Sequence, residues 1–201
     1  MKVLRSILWI TVFLAGGVLI WQSFGTQPND QSKLRSTGDA LGGPFTMTSH
    51  EGKTVKNTDF HGRYQIIYFG YSYCPDVCPI ELQKITTALT LMDQKGQKTD
   101  MFQPLFISVD PERDTVSELK RFMDGFYPSF IGLTSDLETI QSVAKNYKIF
   151  FGKTGGTGNN DYLMNHSNYI ILMGKDGKFL KLFGSIDSAE DIANSLSKLV
   201  E

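Results

Sequence analysis

The chain carries only two cysteines, Cys74 and Cys78, within Gly70-Tyr71-Ser72-Tyr73-Cys74-Pro75-Asp76-Val77-Cys78-Pro79. Thiols that close can form one disulfide, exchange with a partner's disulfide, or hold one metal ion. A pair kept only for packing or as a plain structural bridge is the poorest reading, because cysteines chosen for packing rarely fall so close at a strand-to-helix turn. For thiol exchange the spacing is one residue longer than the usual Cys-x-x-Cys. The cis-proline that normally faces such a pair is also missing, since no proline follows Pro128. Soft-metal binding needs a third ligand. Cu(I) accepts two or three ligands without demanding a tetrahedron, and thiolates suit it. His166, in Asp161-Tyr162-Leu163-Met164-Asn165-His166-Ser167, stands just before a strand expected at Tyr169, where the cis-proline would be. Its imidazole would add a nitrogen to the two sulfurs, with its other ring nitrogen requiring an orienting acceptor. Zinc is less well served by two thiolates and one imidazole. His50 and His61 lie in turn contexts and read as surface residues.

The elements that must place these groups follow from hydrophobic periodicity. Tyr64 to Gly70 is β-branched and aromatic, a buried type of strand, so the cysteines emerge at its carboxyl end, where open α/β sheets put their sites. Ile80, Leu82, Ile85, Ala88, Leu89 and Met92 repeat at helical spacing between Pro79 and Lys95. With Pro79 at the first helical position, Cys78 is expected as the N-cap, at the positive helix end, which favours its thiolate. A strand over Leu105–Val109 leads to Asp110-Pro111-Glu112-Arg113, which reads either as a capped turn with a surface ion pair or as support for the site or for partner docking. Further elements are a short strand at Phe45–Thr48, a helix opened by the capping-box spacing Thr115-Val116-Ser117-Glu118, and a strand at Phe130–Leu133. A second such box, Ser135-Asp136-Leu137-Glu138, opens a helix to about Tyr147, and a Gly-rich loop runs from Thr154 to Asn160. A hairpin follows over Tyr169–Met173 and Phe179–Phe183 around Lys175-Asp176-Gly177, then a last helix capped at Ser188. Strand-helix-strand followed by hairpin-helix is the thioredoxin-like order: an α/β fold with a mixed central sheet flanked by helices.

A net charge of −1 gives no basic field for nucleic acid, and 41% hydrophobic with 20% charged residues excludes both a disordered chain and a polytopic membrane protein. The N-terminus is different in kind. No charge occurs between Arg5 and Asp30, and Ile7 to Trp21 is largely apolar with a tryptophan near either end. Lys2 and Arg5 precede it, and no Ala-x-Ala cleavage site follows. We therefore expect one N-terminal transmembrane helix, an uncleaved signal anchor over residues 1–24. A flexible tether over 25–42 and one exported domain over 43–201 follow it, with the domain facing the periplasm from the inner membrane.

Several blocks resemble the Sco/SenC family of copper-binding assembly proteins for cytochrome c oxidase. They are Gly43-Pro44-Phe45, Phe69 to Pro79 with Ser72 where Thr is usual, Phe106-Ile107-Ser108-Val109-Asp110-Pro111-Glu112-Arg113-Asp114-Thr115, Ile131-Gly132-Leu133-Thr134, and Asp161-Tyr162 through His166-Ser167. The resemblance covers about residues 42–200. It implies one copper, Cu(I) or Cu(II), held by Cys74, Cys78 and His166. It also implies a metallochaperone role, rather than turnover catalysis, toward the CuA centre of cytochrome c oxidase subunit II, with an upstream copper donor or thiol reductant as further partner. The alternative is a thiol-disulfide reductase acting on that subunit's cysteines through Cys74 and Cys78. A peroxiredoxin-like peroxidase would carry Thr where Tyr71 stands. One departure from the family pattern is Asn165, where Asp is usual before the histidine.

Overall fold

The computed structural model describes residues 41–156 and 161–200. The anchor expected at 1–24, and the tether apart from its last two residues, lie outside that range; among the described residues no helix is long and apolar enough to cross a membrane.

The sheet is organised around β3, Tyr64–Gly70, whose residues after Tyr64 are buried on both faces. It pairs in parallel with β4, Phe102–Ser108, along its whole length, and β4 pairs in parallel with β5, Ile131–Thr134. Helix α1, Val77–Gln94, joins β3 to β4, and α2, Val116–Met123, lies between β4 and β5. Both crossovers step the same way across the sheet, so the right-handed rule puts both helices on one face. That face carries Tyr68, Phe106 and Gly132. Phe106 packs on Phe122 of α2, and a side chain at Gly132 would press on Met123. On the other face Phe69 packs against Tyr147, just past α3, Leu137–Asn146. β1, Thr46–Ser49, and β2, Thr54–Lys56, extend the β5 edge antiparallel. β8, Ile170–Met173, and β9, Phe179–Phe183, extend the β3 edge, also antiparallel, before α4, Ala189–Ser197. The sheet order is β2-β1-β5-β4-β3-β8-β9.

Between α3 and β8 lies a structure that periodicity does not reveal. β6, Phe151–Thr154, and β7, Leu163–His166, form their own two-stranded antiparallel sheet. The strand expected from Leu105 begins earlier, at Phe102, and includes Pro104; the ladder to β5 starts only at Leu105, so the missing N–H at Pro104 falls where that side of β4 is uncommitted.

Two helix starts differ from expectation by a register. α1 begins at Val77 with Asp76 as N-cap, so Pro79 occupies the third helical position and Cys78 lies inside the first turn. A proline is tolerated there because first-turn N–H groups have no partner within the helix. In α3 the cap is Asp136, not Ser135: its Oδ1 accepts the Thr139 N–H at 2.8 Å. The Ser188 box forms as expected, with Asp191 reciprocating. Asp136→Ala should therefore lower the urea-denaturation midpoint of the chain, whereas Ser135→Ala should leave it unchanged; the reverse order would return the cap to Ser135.

Candidate metal centre

The site begins where β3 ends. Gly70 is the last strand residue, and a Cβ there would lie 2.8 Å from Cys78 Sγ, 2.9 Å from Tyr68 and 3.0 Å from Phe106. The absence of a side chain lets the first turn of α1 pack down until the Cys78 sulfur is fully buried. The loop between strand and helix is held from beneath by Asp114. This buried carboxylate accepts the Ser72 N–H at 3.1 Å, the Ser72 hydroxyl at 2.5 Å and the Ser108 hydroxyl at 2.6 Å. Burial pushes the Asp114 carboxyl up, and the two serines oppose that shift.

His166 ends β7, opposite Phe151 of β6. Its Nε2 lies 3.3 Å from Cys78 Sγ, and its Nδ1 lies 3.0 Å from the Ser167 carbonyl oxygen. A carbonyl only accepts, so Nδ1 carries the proton, and in the neutral ring Nε2 presents its lone pair to the sulfurs. The acceptor that a ligating histidine requires is thus the backbone next to it. Asn165 is exposed on the alternate side of the strand. The imidazole is also wedged edge-on by two rings, Tyr68 at 6.0 Å and Tyr71 at 5.9 Å between centroids. The ligand atoms of Cys74, Cys78 and His166 all lie within 4.8 Å of one another.

The charge is placed on the cysteine that the sequence does not favour. Cys74 is half-buried, and its Sγ accepts the Cys78 backbone N–H at 3.4 Å. The Cys78 thiol, first, and the N–H groups of Asp76 and Cys78 pull Cys74 down to about 3, against an opposing effect of burial. Cys78 is pushed up, first by sharing its proton with the Cys74 thiolate and then by burial. The expectation of a Cys78 thiolate assumed an N-cap position. Two residues further into the helix, its backbone N–H aims instead at the other sulfur, and the positive helix end serves Cys74.

Asp110 and Arg113 are not a surface pair. Asp110 is 1% exposed, the Arg113 side chain 9%, and Nε and Oδ2 are 2.5 Å apart. Asp110 Oδ1 also accepts the Tyr162 hydroxyl at 2.7 Å. His50 is likewise more than a surface residue: its Nδ1 accepts the Gly132 N–H at 2.9 Å. His61 is exposed, as expected. Gly70 and Asp114 are the supporting residues that sequence reasoning leaves without a role. The available signals are a glycine ending a buried strand just before the cysteines, and an acid closing the Asp-Pro-Glu-Arg-Asp run.

The arrangement suits a soft cation. It offers one thiolate already formed, one thiol beside it and one lone-pair nitrogen, and among the described residues no fourth His, Cys, Asp or Glu joins them as in a closed zinc site.

The SCO1/SenC family model matches residues 34–201. Protein sco1 of Schizosaccharomyces pombe is 36% identical over 158 residues, covering 78% of this chain and 59% of that protein. The human mitochondrial SCO1 homolog is 38% identical over 157 residues, covering 78% of this chain and 52% of that protein. The chain therefore spans between half and three-fifths of these relatives' lengths. Among solved structures, copper-bound ScoI of Arabidopsis thaliana superposes with a TM-score of 0.73 at 38% identity, covering 79% of this chain and 97% of that one.

Two outcomes follow from the site's geometry. Gly70→Ala should cost about 1–3 kcal/mol of stability by overpacking and displace the Cys78 sulfur; a variant with unchanged stability would show that the sulfur does not need that space. In the reduced chain, Cys74 should be alkylated by iodoacetamide at a rate that stays flat from about pH 5 to pH 8, because its thiolate is already formed across that range. A rate that keeps climbing through pH 8, as for an ordinary thiol, would contradict the assignment.

Proposed function

This chain belongs to the SCO1/SenC family, and from that premise we propose that it is a copper metallochaperone. Cys74, Cys78 and His166 hold one copper ion, Cu(I) or Cu(II), and the protein assists assembly of the CuA centre of cytochrome c oxidase subunit II. The observation that carries the reading is the convergence of two sulfurs and an Nε2 whose tautomer is fixed by the Ser167 carbonyl. The copper-bound relative of the same fold supports it. Half-burial of Cys74 leaves one ligand reachable from outside, which ligand exchange with an acceptor's cysteines requires. The apolar run from Ile7 to Trp21 supports a single-pass anchor, with the copper domain on the periplasmic side of the inner membrane.

A second reading has its own support. An accessible Cys74 thiolate beside a buried, protonated Cys78 is the arrangement of an attacking and a resolving thiol. In that reading Cys74 opens a disulfide of the oxidase subunit, and Cys78 then displaces the partner, leaving a Cys74–Cys78 bridge. The two readings separate on the histidine. The reduced full chain should bind one equivalent of copper, with thiolate-to-copper charge-transfer absorption. His166→Ala should weaken that binding by at least about tenfold, since loss of even an outer-sphere partner costs 10–100-fold. Binding equal to wild type in His166→Ala would overturn the chaperone reading in this form and leave the reductase.

A further inference from the structure

The hairpin that carries His166 stands apart from the main sheet: β6 and β7 hydrogen-bond to each other, and the cysteines hang from β3. The two halves of the site therefore need a connection outside the sheet ladder, and the side chain of Arg113 touches both. Toward the hairpin, its Nη1 donates to the Tyr162 carbonyl at 2.9 Å, and its guanidinium lies 3.7 Å from the centre of the Tyr162 ring. Tyr162 immediately precedes β7. Toward the cysteine loop, the same guanidinium lies 5.6 Å from the Tyr71 ring and 5.1 Å from the Tyr73 ring. Tyr71 is the ring that packs edge-on against the imidazole of His166, and Tyr73 directly precedes Cys74. From below, Asp110 fixes the guanidinium through Nε and fixes Tyr162 through its hydroxyl. Lys153 of β6 is bound to Glu112 in the same turn, at 2.6 and 2.8 Å.

We infer that Arg113 is a positioning residue for the metal site: it clamps the His166 hairpin to the cysteine loop and so sets the distance from Nε2 to the two sulfurs. This rests on the proposed ligand set. The chemistry explains why the residue is arginine. One group must donate in the plane to a carbonyl and a carboxylate while offering flat faces to aromatic rings, which a planar, permanently charged fork does and an ammonium does not. A buried ion pair contributes little to stability compared with an apolar replacement, so its value here is geometric.

The test is a double-mutant cycle on copper binding to the reduced full chain, with thermal unfolding followed in parallel. Arg113→Lys keeps the charge and the Asp110 partner but loses the fork and the stacking. It should lower copper affinity about tenfold in the wild-type background and shift the thiolate-to-copper charge-transfer band. In the His166→Ala background it should change affinity less than twofold and leave the band in place, because the distance it sets no longer matters. Tyr162→Phe, which removes the hydroxyl and with it the bond to Asp110 and the longer one to Glu112 at 3.4 Å, should show the same dependence on His166 with a smaller effect. An equal loss from Arg113→Lys in both backgrounds, or no loss in the wild-type background, would overturn the positioning role while leaving the ligand set intact. Copper binding by His166→Ala equal to wild type would overturn the ligand set itself.

Discussion

The sulfur of Cys78 fills the volume that any side chain at position 70 would need. Because β3 ends in glycine, the first turn of α1 can seat against the sheet and bury that sulfur completely. The remaining geometry follows from this contact. Cys74, one turn back in the loop, is brought to where the Cys78 N–H meets its sulfur, and the imidazole of His166 closes over both from the separate hairpin. The parallel register of β3 and β4 adds the second fixed point. It sets Gly70 opposite Ser108, so the buried Asp114 that follows β4 can hold the Ser72 backbone and hydroxyl. The cysteine loop is thus pinned at both ends by strands that cannot slip without moving their whole buried faces.

Electrostatics then divides the labour between the two thiols. The buried sulfur keeps its proton and the half-exposed one gives its proton up, since helix N–H groups and the neighbouring thiol both point at Cys74. A chaperone and a reductase would both use that asymmetry, which is why the cysteines alone do not separate the two functions. The histidine does. Its tautomer is fixed by the Ser167 carbonyl, and a lone pair directed at the sulfurs serves coordination more directly than thiol exchange.

Much of this was legible in the sequence where local signals agree with the fold. β3 was readable to the residue because its β-branched and aromatic run is uninterrupted, and the Ser188 box because both of its partners are local. The three converging residues were readable from the thiol spacing and from a histidine placed ahead of a strand. What escaped depends on tertiary contact. β6 and β7 are short, lack a β-branched run and are separated by the Gly-rich segment; they are held by Tyr162, Met164 and the Glu112–Lys153 pair rather than by propensity. The position of Pro79 is ambiguous in sequence, because a helix tolerates proline anywhere in its first turn. That two-residue ambiguity reversed the thiolate assignment. Arg113 reads as a turn residue until three tyrosine rings are found around it.

A small α/β domain in this way brings the three proposed copper ligands together from two separately anchored parts, a loop at a strand end and a hairpin outside the sheet. The most direct test of that account is copper K-edge X-ray absorption of the full chain loaded with one equivalent of Cu(I). The account predicts a shell of two sulfurs and one imidazole nitrogen, with the nitrogen lost in His166→Ala. A shell without sulfur, or one that is unchanged in that variant, would contradict it.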